Sequence, residues 1–290
     1  MPDNYFIHLL ISICIYTILA LSLQLSVGFS GLLNLGHVAF FAIGAYTYAL
    51  LIKLGFPYLL VLALAGVIPL AFGYLLSLPT NKLKGDVLAI VTLGFSYLTY
   101  NVLSNWHALT GGPSGITDIT RPIFFSISFE KPINFLMLTL LVTALTYIFL
   151  KIFVDSYLGK IIQATRDDEL SAQVLGKNTY KAKSISLATA AFWAGIAGAL
   201  YASYISFIDP NSFAFSNIIL LLTIIILGGL ASLEGTILAT IILILLPEPL
   251  RFLNISSSVI GPARQIIFAI LLLLIIRFQP KGFYGKIDFE

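Results

Sequence analysis

Long apolar segments broken by very few charges limit what this chain can fold into. Its 290 residues include only 16 Lys or Arg and 13 Asp or Glu. Charged residues are thus 10% of the chain, against roughly 25% in ordinary soluble domains. About 20 residues are needed to cross the hydrocarbon of a bilayer. By that measure the apolar runs near 5–27, 33–52, 57–78, 87–105, 133–153, 184–206, 213–229, 232–247 and 263–278 read as spans. The expected fold is all-α, a polytopic transmembrane helical bundle of about 8–10 spans in a single domain, 1–290. The seventh and eighth runs meet at Leu227 to Gly235, a Gly-rich stretch that predicts short, broken or partly re-entrant helices. The first run follows Asp3 instead of a basic segment and is too long for a signal-peptide core, so it reads as a retained span.

Two longer stretches lie between spans, 106–132 and 154–183. Nine charged residues crowd between Asp155 and Lys183, where the apolar positions suit short amphipathic helices at the membrane surface. Asp167 or Asp168 is placed to cap a helix N-terminus. Gly176, followed by Lys177, is placed to end a helix in a left-handed turn. The Lys/Arg bias sets orientation. With the N-terminus outside and the C-terminus inside, Lys82, Lys84, Lys151, Lys160, Arg166, Lys177, Lys181, Lys183, Arg277, Lys281 and Lys286 face the cytoplasm. Lys53, Arg121, Lys131, Arg251 and Arg264 then face outward. The 154–183 loop is therefore expected to be a cytoplasmic docking element, and 106–132 to face out. An extra half-crossing near Gly28 to Asn34 would move the N-terminus inside without moving that loop. In the outward loop Gly111, Gly112, Pro113, Ser114 and Gly115 predict a tight turn with exposed backbone N–H groups.

Proton-driven carriers and pumps need ionisable groups inside the bilayer, and these spans carry almost none. Asp86, Glu234 and Glu248 fall at predicted ends or breaks, and His8 near an end. His37 is the exception, and a lone histidine there is either a hydrogen-bonded structural residue or a proton carrier. Asn34 and His37, three apart, are expected on one helical face, with Gly36 and Gly44 loosening the backbone nearby. Unwound backbone there would offer hydrogen bonds to a polar solute, which makes Asn34, His37 and Thr92 candidate pathway residues. No Gly-x-x-x-x-Gly-Lys-Ser/Thr loop occurs, so the chain is not expected to bind or hydrolyse ATP itself. Three histidines, at 8, 37 and 107, and the single Cys14 give neither a zinc spacing nor an intrachain disulfide. Ser30 and His37 are an unspecific pair for a hydrolase, and no catalytic, cofactor or metal residue is expected. A dispersed net charge of +3 gives no nucleic-acid footprint.

Small residues are spaced for close helix packing. Ala191, Gly195 and Ala199 recur every four residues, with Ala194, Gly198 and Ala202 on an adjacent stripe. The segments Gly44-Ala45-Tyr46-Thr47-Tyr48-Ala49 and Gly198-Ala199-Leu200-Tyr201-Ala202 are faintly alike, as two structural halves would be.

One block, Val27-Gly28-Phe29-Ser30-Gly31-Leu32-Leu33-Asn34-Leu35-Gly36-His37-Val38-Ala39-Phe40-Phe41, running on to Tyr46, resembles the first signature of the LivM-type permeases. These are membrane subunits of branched-chain amino acid ABC importers. Lys84 to Phe95, Leu109 to Ile116, the Arg166-Asp167-Asp168-Glu169 loop, Leu227 to Gly235 and Arg277 to Phe283 agree with the family in order. The resemblance implies an importer permease in a prokaryotic inner membrane, surrounded by lipid. It implies pairing with a LivH-like second permease, two ATP-binding subunits that carry the nucleotide, and an extracytoplasmic solute-binding protein. The 154–183 loop then matches the family's coupling loop, whose Glu-x-x-Ala-x-x-x-Gly pattern is carried by Glu169, Ala172 and Gly176. Glu234 stands where relatives carry an uncharged bulky residue, and Ser96 where a charged residue is often found. Branched-chain amino acids are the expected solutes, with urea or short amides as the alternative within the family. A stand-alone channel or secondary carrier is the alternative outside it.

Overall fold

The computed structural model describes residues 2–80, 83, 85–121, 123–124, 127–129, 131–248, 257–278 and 282–285. Helix α1 (Pro2–Gln24) runs on into a widened turn, Leu25–Phe29, and an irregular stretch separates that turn from α2 (His37–Lys53). Next come α3 (Tyr58–Thr80), α4 (Gly85–Asn105) and the short α5 (His107–Thr110). A two-residue hairpin, β1 (Ile123–Phe124) with β2 (Ile127–Ser128), precedes α6 (Pro132–Asp155). Then follow α7 (Tyr157–Asp167), α8 (Glu169–Val174), α9 (Thr179–Ile205), α10 (Ser216–Gly228), α11 (Leu233–Leu245) and α12 (Ser257–Phe278).

Six described helical stretches are long and apolar enough to cross a membrane, and three shorter apolar helices, His37–Lys53, Leu233–Leu245 and Gln265–Ile275, accompany them. Together they occupy all of the expected spans. The second begins four residues later than the sequence indicates, at His37, because Gly31 with φ 66° and the non-helical stretch after it interrupt the first turn. Asn34 therefore lies in irregular backbone, and the expectation that it shares a helical face with His37 is corrected. Lys82, Lys84, Arg251, Lys281 and Lys286 of the charge count, and Gln279 and Pro280 of the closing block, lie outside the described residues.

The centre is built by α9, whose small residues let it touch two neighbours backbone to backbone. A Cβ on Gly44 of α2 would sit 2.4 Å from the Gly195 Cα. One on Gly195 would sit 2.2 Å from the Ala65 carbonyl oxygen of α3, and one on Gly198 would sit 2.1 Å from that of Phe41. At such separations no side chain intervenes, and dispersion along the helix pair replaces the hydrophobic effect that hydrocarbon cannot supply. The two faintly similar segments, 44–49 and 198–202, thus lie against each other. At the rim, α6 presents Met137, Leu140, Leu141, Leu145, Ile148 and Ile152 outward, all apolar and exposed, as a lipid-facing helix must.

Candidate functional site

Two stretches of irregular backbone, one after α1 and one between α10 and α11, meet where α1 ends. Gln24 donates its Nε2 to the carbonyls of Gly229 (2.8 Å) and Ser232 (3.2 Å), tying the end of α1 to the break between α10 and α11. Gly28 packs on the same break, where a Cβ would lie 2.7 Å from the Ala231 amide nitrogen. Gly229 and Ala231 themselves take positive φ, 95° and 59°, so the seventh and eighth expected spans are indeed short helices parted by a sharp turn. The amides of Phe283 and Tyr284 then donate to the Leu227 and Gly228 carbonyls at 2.8 and 3.1 Å, satisfying the C-terminus of α10.

Thr92 and Asn34 meet at the irregular stretch. The Thr92 Oγ1 accepts from the Leu35 amide at 3.0 Å, and the Asn34 Oδ1 accepts from Gly36 at 3.0 Å. Gly36 is needed between them, since a Cβ there would lie 2.5 Å from the Thr92 carbonyl oxygen. The Asn34 Nδ2 is buried with no partner among the described residues. His37 turns the other way, its Nε2 2.8 Å from the Ser22 Oγ on α1. Ser30 bonds to Ser186 and to the Leu25 carbonyl, so Ser30 and His37 are not brought together. All three candidate pathway residues are buried within this chain.

The charged loop folds into α7 and α8 at the same end of the bundle. Asp168 caps α8, its Oδ1 accepting from the Leu170 and Ser171 amides at 3.0 and 3.1 Å, and Gly176 closes the turn with φ 72°. Arg166 reaches inward. Its Nη1 donates to the Gly28 carbonyl at 2.9 Å, its stem lies against Gly31, and Nε and Nη2 clasp the Asp167 carboxylate at 2.8 and 2.6 Å. Glu169 pairs with Lys183 at 2.8 Å, with side-chain exposures of only 14% and 9%. Ala172 is buried beneath α8. Beside exposed polar residues such as Lys160, Asp167 and Gln173, the loop turns three large apolar side chains outward: Leu170 is 68% exposed, Val174 87% and Leu175 74%. Sequence reasoning weighted the charges and passed over this face, although the spacing of Leu170, Val174 and Leu175 on a short capped helix was there to be read.

At the opposite end of α9, the Gly-rich loop is clamped down. The Ile116 amide donates to the Ile208 carbonyl at 2.8 Å, and the Ile116 carbonyl accepts from the Ile208 amide at 3.1 Å. Gly111, Gly112 and Gly115 have φ of 74°, 58° and 70°, and their amides donate to the His107 carbonyl, the Thr110 Oγ1 and the Gly112 carbonyl. The expected exposed N–H groups at the glycines are therefore corrected: each is satisfied inside the turn. Pro113 and Ser114 are the exposed tip.

Helices of membrane length around a glycine-lined centre, with a broken segment held by a folded polar loop, define a polytopic membrane permease. Residues 5–276 match the family described as the permease component of the branched-chain amino acid transport system, and the chain belongs to that family. It is 36% identical to the high-affinity branched-chain amino acid transport system permease protein LivM of Salmonella typhimurium, over 92% of this chain and 67% of the relative. It is 26% identical to the corresponding LivH protein of Escherichia coli K12, over 95% of this chain and 92% of the relative. A probable LivM of Methanocaldococcus jannaschii is 25% identical over 77% of this chain and 67% of that protein. No solved structure matches the chain.

Proposed function

We propose that the chain is one permease subunit of an ABC importer for branched-chain amino acids in a prokaryotic inner membrane. It pairs there with a LivH-like permease, two ATP-binding subunits and an extracytoplasmic solute-binding protein. The chain is a conduit and a coupler, and ATP is bound and hydrolysed by its partners. Its relatives' names support the solute class. The observation that carries the coupling role is the capped α7–α8 unit, which turns Leu170, Val174 and Leu175 outward while Arg166 grips the broken segment.

In this reading Arg166, Asp167, Asp168, Glu169, Ala172 and Gly176 shape the coupling loop and fasten it, while Leu170, Val174 and Leu175 dock on an ATP-binding subunit. A shift of the docked helix then pulls on Gly28 through Arg166. Asn34 and Thr92 hold the wall beside the pathway at the break, and His37 pins α2 to α1. The orphan Nδ2 of Asn34 gains a partner when the break opens. Pro113 and Ser114, on a turn that the glycines hold rigid, meet the solute-binding protein.

The test is the double variant Val174→Asp with Leu175→Asp in the complete transporter. Both side chains are exposed, so the permease should still insert and pair, whereas solute-stimulated ATP hydrolysis and capture of the ATP-binding subunits should be lost. Full stimulation in that variant would remove α8 from the coupling role.

A further inference from the structure

Helix α4 carries a stripe of small and polar residues among the exposed apolar Ile90, Leu98 and Val102 on the side turned away from the bundle. Gly94, Tyr97 and Asn101 follow one another at spacings of three and four, on one face. Leu88, Thr92, Thr99 and Leu103 form the opposite, buried face. A Cβ on Gly94 would meet nothing within 4 Å, and Tyr97 is 68% exposed. With 21 residues, α4 is long enough to cross the hydrocarbon, and Phe95 is its middle residue. Tyr97 is then only ~3 Å along the axis from the centre, at a rise of about 1.5 Å per residue. An interfacial aromatic anchor belongs at a helix end, and at this depth lipid offers a phenol hydroxyl no partner. The outward face of α6 shows what lipid selects, with only apolar side chains over the same depth.

Beside the stripe, toward the end of α4 away from the charged loop, lies a groove of about 290 Å³. Its walls are Leu93, Phe213 and Phe215, and its hydroxyls come from Ser96, Tyr97 and Tyr100. Tyr100 donates to the Asn211 Oδ1 at 3.0 Å, fixing the ring at the rim. At the other end of α4 a second basin of about 330 Å³ is lined by Gly31, Gly85, Leu88 and Arg166, against the coupling loop. One helix thus borders both a mixed aromatic and hydroxyl groove and, on its Leu88 side, a basin lined by the residue that grips the break.

We infer that this face of α4 is the chain's own wall of the solute path. Its groove receives a small zwitterion with an apolar side chain, the side chain against Leu93, Phe213 and Phe215 and the charged end toward the hydroxyls of Ser96, Tyr97 and Tyr100. The inference rests on the importer reading above and adds to it the residues that meet the solute. A concave apolar site with a few convergent polar groups is how proteins fix such a molecule.

The test uses single cysteines at Tyr97, Asn101 and Ser96, and control cysteines at Leu141 and Leu145 of α6, in the assembled transporter with Cys14→Ser. A thiol reacts with a charged methanethiosulfonate as thiolate, which forms in water and not in hydrocarbon. The α4 cysteines should therefore label about ten times faster than the α6 controls. Leucine delivered on the solute-binding protein should slow that labelling. Labelling of α4 no faster than of α6 in every nucleotide state overturns the inference in favour of lipid or protein packing. Fast labelling that leucine never slows overturns the solute contact. Leucine uptake by the Cys14→Ser transporter, measured first, separates these failures from failure of the importer reading itself.

Discussion

The α2–α3–α9 centre and the broken segment beside the charged loop are held by opposite means. In the first, glycines and alanines bring backbones into direct contact, and nothing there can move by less than a helix. In the second, side chains of Gln24, Thr92 and Arg166 hold irregular backbone by individual hydrogen bonds, each of which can exchange for another. Close-packed interfaces transmit force as rigid bodies, whereas hydrogen-bonded breaks yield. In the importer proposed above, α9, which runs from the charged loop to the Gly-rich turn at the far end, would then act as a lever and the break as its hinge.

The largest effect should come from breaking the rigid half. Gly195→Leu forces a side chain into the 2.2 Å gap to the Ala65 carbonyl oxygen, which should cost about 3 kcal/mol or more. The expected outcome is loss of the folded permease in detergent, read as loss of its monodisperse peak. Gly94→Leu, with open space around it, should leave that peak intact.

Next in size is the buried pair that anchors the loop. Lys183→Met leaves Glu169 low in exposure without its cation, and breaking a buried pair from one side costs roughly 3–5 kcal/mol, less here to the extent that Glu169 reaches water. The melting temperature should fall, and the double variant with Glu169→Leu should recover part of the loss. Equal destabilisation in the single and double variants would show that the pair is not coupled.

Much of this was legible in the sequence, and what escaped did so for physical reasons. The spans and the breaks announced themselves because the bilayer demands long apolar runs and glycines punctuate them. The Gly176 stop was readable for the same reason. The partner of Glu169 was not, since Lys183 lies across a turn and a helix start that no local spacing encodes. The inward course of Arg166 was equally hidden, because a charge on a loop between spans is by default a solvated one. Composition does not record which way a helix faces. Thr92 and Tyr97 are both polar residues of α4, and only packing shows that one holds backbone while the other points away from the chain.

A smaller effect is expected from loosening the hinge. Arg166→Ala removes the bond to the Gly28 carbonyl, a charged-donor hydrogen bond contributing about 1.5–3 kcal/mol. Because the bond joins loop to break and not the centre of the fold, thermal stability should change less than the ratio of solute moved to ATP hydrolysed, which should fall. Arg166→Lys keeps the charge and loses the fork that serves Gly28 and Asp167 together, so it should rescue only in part. An unchanged transport ratio with a lowered melting point would make Arg166 a structural clasp alone.

The smallest effect is expected at Glu234, the acidic residue at the start of α11. It accepts a hydrogen bond from the Tyr147 hydroxyl at 2.8 Å and lies 3.8 Å from the Lys151 Nζ, with about half of both charged side chains exposed. A solvated pair at that separation loses in side-chain entropy most of what it gains in attraction. Glu234 also begins α11 next to the cap that Ser232 supplies through the Gly235 amide, so its charge favours the helix N-terminus without being needed to start it. Glu234→Gln keeps an acceptor for Tyr147, and uptake and melting temperature should match the parent within error. A marked loss in uptake alone would move Glu234 from the surface of the break into the hinge, and the division between a rigid centre and a yielding rim would have to be redrawn around it.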